Sequence, residues 1–153
     1  MRLENGLRRG YRWALAWAGM AGLLVSAGCG GDGKVPRSPV IGSVNIDGKP
    51  TAGVMLIFCP TDGSPEVQKL RPSGMTGPDG KFQLISITPN DGAPPAHYKV
   101  LIQWPSGTPG ASGRVGTGED RLHGRYMNLD KSPFTVEIKP GMNDLPPFEV
   151  KSK

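Results

Sequence analysis

The densest group of chemically capable side chains lies in residues 119–126, directly after a glycine-rich stretch. Its candidate ligand-binding residues are Asp120, Arg121, His123, Arg125 and Tyr126. Arginine and tyrosine suit the recognition of planar or anionic groups, because both combine hydrogen-bond donors with a flat surface. The alternative is a structural group, in which Asp120 and an arginine close the loop and Tyr126 packs on the domain. The structural interpretation is favoured, because exposed charge pairs reveal little about function.

The other reactive residues form no pattern typical of catalysis or metal binding. His97 and His123 lack the close spacing of zinc ligands, and no short stretch concentrates the oxygen ligands of a calcium loop. Cys59 ends the most apolar run of the chain without a neighbouring cation, so we expect a buried and unreactive thiol. The sequence therefore indicates no catalytic residue, no metal and no cofactor.

The N-terminal segment has the order of a secretory signal peptide. Four arginines in the first twelve residues precede an uncharged, largely apolar run over residues 13–27, and small residues then lead to Cys29. With this cysteine the segment resembles a bacterial lipoprotein signal. The resemblance implies cleavage before Cys29, a diacylglyceryl group on its sulfur and an acyl chain such as palmitate on the new amino end. One alternative is an ordinary secreted protein. The other is a transmembrane anchor, but the apolar run over residues 13–27 is short for that, since a membrane span needs about 20 residues.

After cleavage the mature chain would run from Cys29 to Lys153, and its composition indicates which partners and cross-links to expect. The formal charge of +5 falls to +2 once the leader is removed, so nucleic acid is not an expected partner. With Cys29 acylated, Cys59 has no partner for an internal disulfide. We predict three segments: a signal peptide over residues 1–28, a lipidated flexible tether over residues 29–38 and one domain over residues 39–153.

Alternating apolar residues predict short strands in this domain. The period of two is clear over residues 40–46, 98–102 and 134–138, and a last strand is expected over residues 148–150. A continuous apolar run over residues 54–59 indicates a central strand. No helical period appears, so the pattern predicts an all-β fold, a single antiparallel β-sandwich of about seven strands.

Proline and glycine mark the connections between these strands. Pro-Asp-Gly at residues 78–80 predicts a hairpin turn, and residues 60–72 are predicted to form a loop. Residues 105–118 contain five glycines and no periodicity, so we expect a long mobile loop there.

The order of these segments resembles a carboxypeptidase regulatory-like domain, the transthyretin-like or prealbumin-like sandwich. The resemblance rests on GSVNIDGKP at residues 42–50, GVMLIF at 53–58, the hairpin at 76–84 and the strand at 98–102. It extends over about residues 39–150 and is shared by small bacterial lipoproteins built from one such domain. It implies a non-catalytic folding, spacing or ligand-binding accessory. Relatives that hydrolyse 5-hydroxyisourate have a C-terminal Tyr-Arg-Gly-Ser tail, which this chain lacks.

Together these features predict a membrane-anchored lipoprotein of the cell envelope, facing outside the cytoplasm on either the outer or the cytoplasmic membrane. We expect a non-catalytic binding or structural accessory module. Its predicted partners are membrane lipid, through acylated Cys29, and an envelope protein or glycan. The alternatives are a small envelope hydrolase and a structural subunit that packs with itself or with larger envelope proteins.

Overall fold

The computed structural model describes residues 35–107 and 118–153, which form a two-layer β-sandwich. The predicted all-β sandwich is therefore confirmed. In chain order the elements of the described residues are β1 (Val40–Ile46), β2 (Lys49–Pro50), β3 (Met55–Pro60), α1 (Pro65–Lys69), β4 (Ser73–Met75), β5 (Lys81–Gln83), β6 (Ala96–Gln103), β7 (Thr135–Ile138), β8 (Asn143–Asp144) and β9 (Phe148–Val150).

The first sheet is built around β1. Strands β2 and β5 pair with β1 in antiparallel orientation. Strands β8 and β9 pair with it in parallel, with Val40 opposite Asn143 and Val44 opposite Phe148. This sheet is therefore mixed rather than antiparallel throughout, because the last strands of the chain run alongside the first. The second sheet is antiparallel and has the order β4-β3-β6-β7.

The core lies between the two sheets and follows the period-two pattern. Alternate side chains of β1 are buried, as are Leu56 and Phe58 of β3 and the predicted face of β6. The Phe58 ring lies 6.0–6.3 Å, between centroids, from three other rings, those of Tyr98, Phe82 and Phe148. Burial of such a side chain contributes about 2–3 kcal/mol, so these aromatic contacts join both sheets into one core.

The predicted hairpin is present, but its two arms belong to different sheets. The turn closes where Gly77 N–H donates to the Lys81 carbonyl at 2.8 Å. Strand β4 before it pairs with β3, whereas β5 after it pairs with β1. The arms meet again where Ser73 and Ile85 exchange two backbone hydrogen bonds of 2.8 and 2.9 Å. The hairpin thus carries the chain from one layer to the other.

Residues 60–72 contain a helix as well as the predicted loop. The Ser64 hydroxyl caps α1 by accepting a hydrogen bond from Val67 N–H, and Pro65 occupies the first turn, where its missing N–H is not needed. The prediction of a simple loop was wrong here, because the prolines and glycine of the segment obscured a local capping signal.

Strand β1 defines two ends of the sandwich. The proximal end is where β1 begins, and it contains residues 86–92 and 139–142. The distal end is where β1 ends, and it contains residues 47–48, 77–80, 104–107 and 118–126. A strand of this length rises about 3.3 Å per residue, so the two ends lie about 20 Å apart along β1.

The structured domain begins before residue 39, within the segment assigned to the tether. Ser38 is buried and exchanges two backbone hydrogen bonds with Ala93, of 2.8 and 3.0 Å. The Arg37 guanidinium forms an ion pair with Asp91 at 3.5 Å. The chain is thus fixed to the proximal end from Arg37 onward.

Candidate functional site

The predicted cluster of residues 119–126 lies at the distal end, and Asp120 organises it. One Asp120 oxygen accepts hydrogen bonds from the backbone N–H groups of Trp104, at 2.8 Å, and Leu122, at 3.0 Å. The other accepts from Gly124 N–H at 2.9 Å. A carboxylate with several backbone donors fixes the path of a loop strongly, because these hydrogen bonds are charge-assisted. Asp120 therefore joins the end of β6 to the turn over residues 120–124.

Tyr126 anchors the same segment in the core. It is 9% exposed, and its ring centroid lies 5.6 Å from that of Phe134. Its hydroxyl donates to the Lys151 carbonyl and accepts from the Lys151 N–H, both at 3.2 Å. Leu122 is buried beside it in the core. These contacts assign Tyr126 a packing role, as the structural interpretation predicts.

Arg121 is the member of the cluster with a defined exposed position. Its guanidinium lies 4.7 Å from the centroid of the Trp104 ring, within the range of a cation–π contact. It also donates to the Ser106 carbonyl at 3.3 Å. His123 and Arg125 are exposed on the following turn, where His123 has a positive φ of 52°. Within the cluster, Asp120 and Tyr126 support the fold of the segment, and Arg121 is an exposed cation with a defined position.

Trp104 and Arg121 line a broad cavity of 980 Å³ at the distal end, which we call the distal groove. Its lining also includes Asp47, Lys49 and Ser152. The Ser152 hydroxyl donates to the Asp47 carboxylate at 2.5 Å. This hydrogen bond, followed by one from the Ser152 N–H, holds the pKa of Asp47 below its ordinary value. The groove therefore presents an indole, a guanidinium, an ammonium and a carboxylate on one concave surface.

The sequence did not indicate Trp104 as a site residue. It directly follows β6 and precedes a proline and a glycine-rich stretch, and nothing in that local pattern indicates a site. Its meeting with Arg121 depends on the chain returning to β6 after residue 118, where Arg121 N–H donates to the Trp104 carbonyl at 2.9 Å. That return is a tertiary feature without a local signal.

A second cavity of 810 Å³ opens where β5 and β4 separate. Its walls include five large apolar side chains, those of Ile41, Met55, Met75, Phe82 and Ile85. Ile85 is 42% exposed. The cavity is mainly apolar, and it lies on the side of the sandwich rather than at the cluster.

His97 lies at the proximal end and pairs with a carboxylate. Its Nδ1 lies 2.5 Å from Asp62 Oδ2, and its backbone N–H donates to Asp62 Oδ1 at 2.7 Å. The side-chain hydrogen bond and then the charge of Asp62 raise the pKa of His97. In turn, the hydrogen bonds from the His97 backbone and ring lower the pKa of Asp62. Both side chains are largely exposed, so this pair is a surface feature.

Cys59 is buried, as the sequence predicts. Burial raises the pKa of its thiol, and the opposing charge of Arg71 is too weak to reverse the effect. A thiol with a raised pKa and little exposure is a poor nucleophile. Among the described residues, no three metal-ligating side chains cluster, and no helix has the length and apolar character needed to cross a bilayer.

Three predictions lie wholly or partly outside the described residues. These are the signal peptide with Cys29, over residues 1–29, the first part of the predicted tether, up to residue 34, and the centre of the predicted mobile loop, residues 108–117.

The comparisons with known proteins add one distant similarity. No protein-family model and no curated protein matches the chain. The crystal structure of a DUF3823 family protein from Parabacteroides merdae is similar, at 21% identity and a TM-score of 0.38. The match covers 76% of this chain and 47% of that one, so this chain spans about half the length of the solved protein.

Proposed function

We propose that the protein is a non-catalytic lipoprotein of the cell envelope that is anchored by acylated Cys29 and binds an envelope protein or glycan in the distal groove. The domain acts as a carboxypeptidase regulatory-like module that binds this protein or glycan without catalysing a reaction. The observation that carries the proposal is that the chain enters the domain, at Arg37 and Ser38, at one end of β1, whereas the distal groove lies at the other end.

This placement suits a membrane-tethered binding module. Arg37 and Ser38 fix the start of the described domain at the proximal end. The distal groove lies about 20 Å farther along β1. A ligand in the distal groove therefore binds at the end of β1 opposite to the point where the chain enters the domain.

The chemistry of the distal groove favours recognition. Arg121 is held by Trp104 and Ser106, so its guanidinium loses little freedom when it binds a carboxylate or another planar acceptor. The indole of Trp104 adds an apolar surface of the kind that dominates binding sites. The paired His97 lies at the proximal end and therefore supplies no base to the distal groove.

The anchor is tested by the intact mass of the full-length chain expressed in a bacterial host and purified from membranes. We expect loss of residues 1–28 and an added mass of acyl groups. The matched control is Cys29→Ala, which should keep its leader and gain no acyl group. A wild-type protein with an intact leader, or a Cys29→Ala protein that is processed and membrane-bound, would overturn the anchor.

Recognition is tested by photo-crosslinking in living cells. A photoreactive residue at Lys49, on the wall of the distal groove, should capture one envelope protein or glycan. The same residue at Lys69, on the exposed end of α1, should not capture it. Arg121→Ala should abolish capture from position 49. Equal capture from both positions, or capture unchanged by Arg121→Ala, would contradict binding in the distal groove.

A further inference from the structure

We infer that the proximal end docks directly on the lipid bilayer, with the side chains of Ile87 and Met142 inserted among the lipids. This inference rests on the proposed anchor at Cys29, and it adds a defined orientation of the domain to that anchor. It assigns a function to two of the large apolar side chains that the described residues leave most exposed, Ile87 at 63% and Met142 at 71%.

Ile87 is held in place beside the start of the domain. The Ile87 N–H donates to Asp91 Oδ2 at 3.0 Å, and the same oxygen pairs with Arg37 Nη1 at 3.5 Å. Asp91 also accepts from Ser86 N–H at 2.7 Å and from Thr88 N–H at 3.0 Å. One carboxylate therefore fixes the loop that carries Ile87 and the residue where the tether reaches the domain.

Met142 lies at the same end on the turn between β7 and β8. The next residue, Asn143, donates its backbone N–H to the Pro39 carbonyl at 2.9 Å, directly before β1. Its side-chain amide donates to the carbonyls of Lys139 and Gly141, both at 2.9 Å. The turn is thus closed by its own asparagine, and Met142 points into solvent from a fixed backbone.

The length of the tether keeps both side chains near the membrane. Eight residue steps separate Cys29 from Arg37, and a chain of that length spans at most about 29 Å when fully extended. An apolar side chain held this close to a bilayer has lipid as its most concentrated partner, and burial of its exposed area is favourable.

The charges at the proximal end do not oppose docking. His97 pairs with Asp62, and Lys139 lies 3.6 Å from Glu137. Arg37 and Asp91 form a third pair. The Arg37 and Lys139 pairs each balance an acidic group with a basic one, and the raised pKa of His97 favours the charged imidazole beside Asp62. The apolar side chains therefore determine the contact.

The test measures which end of the sandwich lies in lipid. The chain beginning at Cys29 contains the whole compact unit Gly33–Lys153, and its one tryptophan is Trp104. In a Cys59→Ser and Trp104→Phe background, a tryptophan is introduced as Ile87→Trp, Met142→Trp or Leu129→Trp. Leu129 is a matched control, because it is an exposed leucine, at 40%, in the segment after the distal cluster.

Each chain is coupled through Cys29 to a maleimide phospholipid in vesicles of phosphatidylethanolamine and phosphatidylglycerol, with or without brominated acyl chains. Bromine quenches tryptophan emission only at short range. We expect the probes at positions 87 and 142 to lose most of their emission in brominated vesicles. The probe at position 129 should keep its emission, as should Trp104 in the coupled chain that retains it. Circular dichroism verifies that each variant is folded.

The result is independent of whether cells acylate Cys29, because the anchor is supplied chemically. Unquenched probes at both positions 87 and 142 would overturn docking. That result would not bear on the acylation of Cys29, which the mass measurement tests separately. Equal quenching at positions 87, 142 and 129 would overturn the assigned orientation. If Ile87→Trp fails to fold, the Met142→Trp probe decides.

Discussion

The proximal and distal ends of the sandwich each have a loop that is held by one aspartate, but the two loops expose different side chains. At each end one aspartate accepts three backbone N–H hydrogen bonds, Asp91 from residues 86–88 and Asp120 from residues 104, 122 and 124. The Asp91 loop presents an exposed isoleucine, whereas the Asp120 loop presents Trp104 and Arg121. The comparison shows that the carboxylate determines the shape of a loop, and that the residues on the loop determine what it contacts.

Two glycines, one at each end, differ in how tightly the chain is packed around them. Gly92 and Gly124 have nearly the same positive φ, 75° and 72°. A Cβ atom at Gly92 would lie 1.8 Å from the Ser38 carbonyl oxygen, whereas nothing lies within 4 Å of one at Gly124. The chain is therefore closely packed at Gly92, where residues 38 and 39 join the domain, and the turn at Gly124 is open.

The largest expected effect comes from this pair of glycines. Gly92→Ala should lower the free energy of unfolding by about 3–4 kcal/mol, because it adds a left-handed alanine, about 1–2 kcal/mol, and breaks the two Ser38–Ala93 hydrogen bonds, about 1 kcal/mol each. Gly124→Ala, the matched control, should cost only about 1–2 kcal/mol. Urea unfolding of both proteins measures the difference. Equal losses would show that the crowding at Gly92 is relieved without cost.

The next effect tests the support of the distal end. Tyr126→Ala should destabilise the protein by about 3 kcal/mol, the lower part of the range for buried aromatic residues. Tyr126→Phe keeps the ring against Phe134 and loses only the hydroxyl bonds to Lys151, so it should cost about 1 kcal/mol. Thermal and urea unfolding report both values. A Tyr126→Ala protein as stable as wild type would remove the packing role assigned to this residue.

The sequence predicted most of the fold, because strands that bury one face carry a local period. The assignments of β1, β6 and β7 rest on that period, that of β3 rests on a continuous apolar run, and all four agree with the structure, as does the last strand, β9. The parallel pairing of β1 with β8 and β9 joins residues about one hundred positions apart, and no local pattern indicates it. The division of the predicted hairpin between two sheets is equally a result of tertiary packing.

The candidate site was predicted in part, for the same physical reason. Asp120 and Tyr126 were recognised by type and position, and the structure gives each a supporting role. Trp104 was not recognised, because its contact with Arg121 forms only when the chain returns to the end of β6. Ile87 and Met142 read as ordinary loop residues in sequence, and their common location appears only when both loops meet at the start of β1.

A third prediction concerns the response of Asp91 to acid. Burial alone would raise the pKa of Asp91, but the N–H donors of Thr88, Ser86 and Ile87 and the charge of Arg37 outweigh it and lower the pKa. The stability that Asp91 contributes is therefore full above the ordinary carboxyl pKa of 3.8 and is lost as pH falls through the lowered value.

Asp91→Asn should accordingly cost about 2 kcal/mol at neutral pH, since hydrogen bonds to charged groups are worth about 1.5–3 kcal/mol. The loss relative to wild type should shrink below the ordinary carboxyl pKa. Asp130→Asn, which changes an exposed carboxylate, is the control and should have little effect. Urea unfolding at several pH values tests this, and a loss independent of pH would contradict the ionised role of Asp91.

The smallest effect concerns the exposed pair of His97 and Asp62 at the proximal end. Because the pKa of His97 is raised, its contribution to stability is full below about pH 6.5, the ordinary imidazole value, and is lost as pH rises through the raised pKa. The pKa of Asp62 is lowered, so its contribution is full above about pH 3.9 and is lost as pH falls through the lowered value. The pair therefore stabilises the domain between these limits.

His97→Gln should lower the urea midpoint slightly at mildly acidic pH and leave it unchanged in alkaline buffer, and high salt should reduce the difference by screening. Lys139→Gln, which alters the neighbouring pair with Glu137, serves as the control without an imidazole titration. A His97→Gln effect that persists in alkaline buffer would show that the histidine acts through packing and not through its charge.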